Sequence, residues 1–499
     1  MINITDERNK IVNSMTAGVD VLIVGGGITG AGVLNLLSSI GISCALIESE
    51  DFARGTSSRS SKLIHGGLRY LAHGNISIVR QSVKERDFLL KNSDAVKKIG
   101  FMIPIDQYSW SKSSLGFGLR IYSLFSKNIK AKWMSKDEII KEEPVFENID
   151  FRGAYVYAEG IANDARLVIN TILSAEKNGA IILNYAELKS IVFDDVAKEA
   201  VVIDKIGNRE FRVPFKFMVN ATGPWIANLF EQFKSKYAYS KKLKEHLKLS
   251  KGAHIMISKE LFPINNGIAV RSPIDKRQIF IIPRGEVLLI GTTETYFNGN
   301  LRDPEVDEND VKYLIDSVKT YIPTLSEKDV ISVFAGVRPL FGKNQDLGNI
   351  SREYKVFRTG NIINIMGGKL TTFRTVSMKV SKILEREMNL KKEPFIQFSY
   401  KREIDFRKEE LSKLLADNKL PVSEDSITFA YDIIYEHAYH IEDILWRREG
   451  VAIFSADEGR SKLNICSDVL KNMLGYDDAA IKKEESNYAK SLSVRQKFM

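Results

Sequence analysis

The sequence predicts an α/β protein in which a nucleotide domain assembled from separated segments joins a β-rich domain and an α-helical C-terminal domain. Three features predict it. A β-turn-α-β unit starts at Val19 with glycines at 25, 27 and 30, a second glycine turn follows a strand that ends at Asn220, and strand signals cease after about residue 395. A chain of 499 residues exceeds what one core organises. Its 44% hydrophobic content excludes disordered, collagen-like and coiled-coil classes. The net charge of +9 attracts nucleic acid, anionic lipid or an acidic substrate without choosing among them. Two cysteines, Cys44 and Cys466, build neither a disulfide framework nor a multi-cysteine metal site, and fit a reducing compartment.

In chain order, the first ten residues hold Asp6, Glu7, Arg8 and Lys10 and no apolar run, so no secretory signal is expected. Val21–Ile47 carries no charge and imitates a membrane span, but Gly25, Gly26, Gly27, Gly30, Gly32 and Gly41 divide it. The pieces read as strand Val19–Val24, helix Ile28–Ser39 and strand Ser43–Ile47. A polar loop covers Ser49–Lys62, and apolar spacing predicts a helix over Ile76–Asn92. Gly153–Ala158 reads as a strand, with Asp164 capping a helix to about Asn178. Short strands fill 181–222, and 253–296 is β-rich, with Gln278–Ile282 and Glu286–Ile290 forming a hairpin around Pro283-Arg284-Gly285. Val330–Val337 and Ile362–Met366 are further strands, and Gly367-Gly368-Lys369 leads into a helix over Leu370–Met388. Residues 400–499 read as helical.

Gly25-x-Gly27-x-x-Gly30 lies between a buried strand and a helix, and Glu48 closes the next strand. This is the dinucleotide fingerprint. The first glycine makes the turn, the second admits a pyrophosphate, and the third lets helix pack on strand; the acid accepts from ribose hydroxyls. NAD and FAD share it. Val219-Asn220-Ala221-Thr222-Gly223 supplies a second glycine turn typical of discontinuous FAD domains, and Gly367-Gly368-Lys369-Leu370-Thr371-Thr372 opens a helix whose free N–H groups stabilise charge on a reduced ring. FAD is therefore the expected cofactor.

The segment from Gly55 to Leu71, Gly-Thr-Ser-Ser-Arg-Ser-Ser-Lys-Leu-Ile-His-Gly-Gly-Leu-Arg-Tyr-Leu, resembles the signature of FAD-dependent, quinone-linked (aerobic) glycerol-3-phosphate dehydrogenases. Matching motifs follow in family order: Asp164-Ala165-Arg166-Leu167, Asn220 to Trp225, Lys251-Gly252-Ala253-His254, Ile290-Gly291-Thr292-Thr293, Gly336-Val337-Arg338-Pro339-Leu340, Gly368 to Arg374, and Asp443 to Arg448. The chain departs from the pattern at Arg284, where an aromatic is usual, and at Glu294, where Asp is commoner.

The resemblance implies a discontinuous Rossmann-like FAD-binding domain with a β-rich substrate domain and an α-helical C-terminal cap domain. The FAD-dependent oxidoreductase region is expected over 19–395, with FAD-binding segments at about 19–100, 150–225 and 335–390. Substrate-binding β-rich segments are expected at about 100–150 and 226–335, and the C-terminal domain at 400–499. It also implies oxidation of sn-glycerol 3-phosphate to dihydroxyacetone phosphate, with electrons passing through FAD to membrane quinone, from an enzyme bound peripherally to the cytoplasmic face of the inner membrane. An oxidase of the same fold that reduces O2 to peroxide, a flavin-dependent RNA-modifying enzyme and a silent flavin-binding scaffold are the alternatives.

Site residues follow from the same motifs. The cofactor set is Gly25, Gly26, Gly27, Ile28, Thr29, Gly30 and Glu48; Thr56, Ser57, Ser58, Ser61, Lys62, Ile64, His65 and Gly66; Ala221, Thr222 and Gly223; and Gly368, Lys369, Leu370 and Thr371. A phosphate substrate calls for fixed guanidinium charge, which Arg69 and Arg352 supply with Tyr70 beside them. His65, Arg338 and Lys369 are the catalytic candidates. His65 acts as general base or proton relay, or else positions the isoalloxazine, while Arg338 is able to polarise the hydroxyl. His437 and His440 have helical spacing but no third ligand, so no metal is assigned and both are expected to face solvent.

From Gln107 to Lys136 there is no acidic residue, and Lys112, Arg120, Lys127, Lys130, Lys132 and Lys136 alternate with Trp110, Phe117, Tyr122, Phe125 and Trp133. Such a stretch is able to lie in a lipid headgroup layer, or else forms a solvated face over ordinary core aromatics; the resemblance to the quinone-linked family implies membrane contact through 107–136. A second lysine-rich run spans Lys234–Lys251. No recognition motif for nucleic acid accompanies the charge, so the expected partners are glycerol 3-phosphate, quinone and the membrane surface, and a homodimer is allowed.

Overall fold

The computed structural model describes residues 4–68, 75–126, 130–231, 246–342, 354–389 and 401–496. Arg69, Tyr70, Arg352, Lys127 and most of the 234–251 run lie outside the described residues.

Two sheets organise the molecule. In the first, Val19–Val24 is flanked in parallel by Cys44–Ile47 and by the last half of Arg209–Asn220. Ile181–Leu183 extends one edge, Ile362–Met366 and Lys355–Thr359 the other. The central strand is buried almost throughout, which accounts for its uninterrupted apolar reading. Both faces are covered: Ile28–Ser39 packs with Asp164–Lys177 and Phe373–Glu387 on one side, while the N-terminal helix Ile4–Thr16 and an antiparallel meander through 186–220 close the other.

The second, ten-stranded sheet is largely antiparallel. The long strands Leu247–Ser258 and Val330–Phe341 pair from Leu247↔Phe341 to Ile257↔Val330. Side chains alternate across it. One face packs on Glu308–Val318, and the other carries Phe101, Met256, Ile282 and Phe334. The C-terminal helices Lys408–Asp417, Glu424–Glu436, Leu463–Leu474 and Asp478–Arg495 bury their apolar faces in that same cluster.

Strands Val19–Val24 and Ile362–Met366 and helices Ile28–Ser39 and Ile76–Asn92 occur as the sequence predicts. Others differ. Ser43 precedes its strand, and the strand from Gly153 continues to Ala162. The hairpin strands are Gln278–Arg284 and Val287–Gly291, because Gly285 at φ +57° takes the turn and Glu286 leaves the ladder. Leu370–Thr372 is a 3₁₀ turn, with the α-helix proper at Phe373–Glu387. Asn163, not Asp164, caps the helix Asp164–Lys177, its side chain accepting from the Arg166 amide; Asp164 is drawn into an ion pair with Lys62 instead. Among the described residues no helix is long and apolar enough to cross a membrane.

Candidate cofactor and substrate site

The phosphate turn is formed by the carboxyl end of Val19–Val24, where a doubly covered parallel sheet opens its ligand crevice. Gly25 has φ +111°, and a Cβ there would stand 2.6 Å from the Ala221 carbonyl oxygen. A Cβ on Gly30 would stand 1.9 Å from the Gly25 oxygen, so only glycine lets the helix start this close to the strand. Gly27 caps that helix without a side chain. Glu48 accepts from the Gly26 amide at 2.7 Å and the Glu50 amide at 3.0 Å. Burial pushes its carboxyl pKa up, opposed by these backbone hydrogen bonds.

The loop after Glu48 covers the turn. Ser57 Oγ accepts from the Ile28 amide at 3.0 Å, and Thr56 Oγ1 donates to the Val337 carbonyl at 2.6 Å, joining the two sheets. Lys62, at φ +55°, turns its ammonium inward to Asp164 at 2.6 Å and to the Ser58 carbonyl at 3.0 Å, so it shapes the loop from within. Ser61 meets His254 Nε2 at 2.9 Å. Ile64 is buried on the short edge strand Leu63–Ile64, half-buried His65 follows, and the Gly66 amide donates to Glu159 at 3.1 Å.

The second glycine turn closes the crevice. Ala221 donates to the Val24 carbonyl at 2.9 Å, and Thr222 Oγ1 donates to Asn220 Oδ1 at 2.7 Å. Gly367 and Gly368, at φ +71° and +107°, redirect the chain from Ile362–Met366 into Lys369 and Leu370, with Thr371 buried behind them. These turns enclose a cleft of about 510 Å³. Gly25, Gly27, Ile28, Thr29 and Glu48 line it with Thr56 and Ser57, and opposite them stand Ala221, Thr222, Gly223, Gly368, Lys369 and Leu370. Gly26 and Gly30 lie behind this wall as its backbone support. A first turn with no space for a Cβ at Gly25 and Gly30, a side-chain-free helix start and an acid at the second strand end fit the pyrophosphate and ribose of FAD.

Arg338 belongs to the other sheet. Its neighbour Val337 holds Thr56, and its other neighbour Pro339 lines the cleft. The guanidinium lies across Gly252, donates to Thr292 Oγ1 at 2.9 Å and faces Glu294 at 3.5 Å. The Glu294 side chain, 1% exposed, is also paired with Arg277, so the residue that departs from the family pattern orients the guanidinium. Arg284, the other departure, stacks on Phe454 of the C-terminal helices at 4.1 Å, and burial lowers its pKa to about 10.

His254 was not a sequence candidate. It is 1% exposed, stacked on Phe334 at 4.9 Å, and held neutral by burial and then by the nearby charges of Arg338 and Lys62. Its place two residues after Gly252 on the strand was the available signal, because alternate residues share a face. His437 and His440 are half-buried rather than fully solvent-facing, and each meets an acid: His437 Glu176 at 3.1 Å and His440 Glu484 at 3.0 Å. Among the described residues no cluster of metal-ligating side chains occurs.

Residues 20–371 match the FAD dependent oxidoreductase family. An aerobic glycerol-3-phosphate dehydrogenase of Staphylococcus epidermidis is 32% identical over 516 positions, covering 92% of this chain and 91% of that protein. One from Staphylococcus aureus is 30% identical over 521 positions, covering 93% and 92%. In fold, the chain resembles the FAD-complexed glycerol-3-phosphate dehydrogenase from Bacillus halodurans, with a TM-score of 0.77 at 23% identity over 99% of this chain and 98% of that one. It also resembles L-alpha-glycerophosphate oxidase from Mycoplasma pneumoniae, with a TM-score of 0.57 at 19% identity over 77% and 98%. The chain belongs to the FAD dependent oxidoreductase family and, within it, to the aerobic glycerol-3-phosphate dehydrogenases.

Proposed function

We propose that the protein oxidises sn-glycerol 3-phosphate to dihydroxyacetone phosphate and passes the electrons to a membrane quinone. The observation that carries this reading is Arg338, an oriented guanidinium on the strand that also holds the cofactor loop through Val337. When bound, FAD supplies the two-electron acceptor for the carbinol C–H. Glu294 and Thr292 fix the fork of Arg338 so that it presents donors to an anionic oxygen of the substrate. Arg69, Tyr70 and Arg352 complete the phosphate grip, as the family resemblance implies. His65 accepts the hydroxyl proton at an imidazole nitrogen as the secondary alcohol becomes a ketone. Lys369, at the start of the Leu370 turn, adds positive charge at the cleft wall.

Anaerobic addition of glycerol 3-phosphate to the purified protein tests the reaction: the flavin absorbance bleaches, and a spectrum that does not change overturns the reading. Turnover with a quinone analogue in excess of peroxide formation under air supports quinone as acceptor, and the reverse ratio makes the protein an oxidase.

The quinone reading is supported by the exposed face of helix Lys112–Leu124, although Tyr122 of the same stretch is buried in the core. Helix Lys112–Leu124 leaves Phe117 67% and Leu124 82% exposed beside Arg120, a pattern that suits the boundary of an anionic bilayer. The protein is expected to sediment with anionic liposomes and release at high salt; absence of binding at low salt removes this surface.

A further inference from the structure

The sequence motif Asp443-Ile444-Leu445-Trp446-Arg447-Arg448 has no part in the site described above. It forms a π-helical turn in which all six residues are buried. Its two guanidiniums converge on Asp51, itself fully buried. Arg448 donates to both oxygens of Asp51, at 2.6 and 2.9 Å, and Arg447 Nε donates at 2.5 Å. Asn184 Nδ2 adds a donor at 3.0 Å. The arginines are fixed in turn: Arg447 pairs with Asp443, which accepts from Tyr185 at 2.7 Å, and Arg448 donates to the Glu436 carbonyl at 2.7 Å.

Asp51 belongs to the loop that begins at Glu48. Two residues further, Ala53, at φ +65°, donates its amide to the Gly26 carbonyl at 3.0 Å. Phe52 stands where a Cβ on Gly26 would meet it, at 2.9 Å. Glu48 accepts from the Gly26 amide. Both ends of the stretch 48–53 therefore hold the middle glycine of the phosphate turn, and the stretch is pinned at its centre by residues nearly 400 positions later. A buried ion cluster recovers little beyond the desolvation it requires, so stability alone is a poor account of this one. What a bidentate guanidinium provides is fixed geometry.

We propose that Arg447 and Arg448 are positioning residues of the cofactor site: acting through Asp51, they fix the loop that aligns Glu48 and Gly26 on the adenosine end of bound FAD. The proposal rests on FAD occupying this cleft. The C-terminal helices then set how tightly the flavin nucleotide is held, while the chemistry stays with the residues near the second sheet.

FAD affinity of the reconstituted full chain, read from flavin fluorescence, tests it. Asp51→Asn and Arg448→Lys raise the dissociation constant at least about tenfold, because each loses a charge-assisted fork. The FAD-saturated variants keep kcat and the visible flavin spectrum. Arg402→Lys is the control: its guanidinium touches Asp432, Glu436 and Glu449 in the same buried network but no residue of the cofactor loop, so it lowers Tm without moving the dissociation constant. Wild-type affinity in the folded variants, or an equal loss in Arg402→Lys, overturns the proposal. A wild-type chain that takes up no FAD overturns the cofactor assignment instead. Should Asp51→Asn not fold, Arg448→Lys, which keeps the charge, decides with Asn184→Ser, which removes one neutral donor and shifts the affinity in the same direction by less.

Discussion

At the end of the parallel sheet, backbone forms the site. Gly25 and Gly30 leave a surface of amides and carbonyls that no side chain could share, and the acid of Glu48 is itself tied to an amide. Across the cleft, the largely antiparallel sheet works through side chains: Arg338, Glu294, Arg277 and His254 are held by one another or by their neighbours. The difference teaches that the two halves fail in different ways. On the proposed function, a change in the first is expected to remove the cofactor, whereas a change in the second is expected to leave a coloured protein that turns over slowly.

Gly30→Ala is expected to have the largest effect, since a methyl 1.9 Å from the Gly25 oxygen forces helix and strand apart. The purified variant should show no flavin absorbance even after reconstitution, and a coloured, active Gly30→Ala protein would break the comparison. His65→Ala should lower kcat by about 10²–10⁴ with flavin occupancy kept, measured by stopped-flow reduction of the loaded enzyme. Arg338→Ala should cost about 10²–10³ in kcat/KM for glycerol 3-phosphate, again in a protein that retains flavin. Loss of flavin from either variant would show that the division is not as drawn.

The smallest effect concerns a third region. Burial opposes the charge on His440, but the Glu484 hydrogen bond and the charges of Asp443 and Glu484 carry its pKa up from 6.5 to about 9. A raised folded-state pKa stabilises fully below the unfolded value and ceases to do so as pH passes the folded one. Tm should fall as pH rises from about 6.5 through about 9, and His440→Gln should flatten that slope.

The cofactor half was legible because its requirements are local: a missing Cβ and an apolar strand leave marks at fixed spacing, and Val19–Val24 and Ile28–Ser39 emerge where the pattern puts them. Partners distant in sequence left no such mark. Asp164 reads as a helix cap, but Lys62, 102 positions earlier, takes it, and Asn163 does the capping. His437 and His440 read as surface residues because Glu176 and Glu484 come from other helices. Helical periodicity after residue 400 reports that a face is buried but not what buries it. His254 matched a motif, yet its contact with Ser61 depends on a loop from another part of the chain.

One apolar cluster contains Phe101, Met256 and Phe334 together with Leu411, Phe429, Trp446 and Leu470. During synthesis, the ribosome therefore releases most of a large sheet before the segment that covers it exists. Until the final helices emerge, that greasy surface stays open to chaperones and to neighbouring nascent chains, so a message shortened near its 3′ end should yield aggregates rather than a smaller working enzyme.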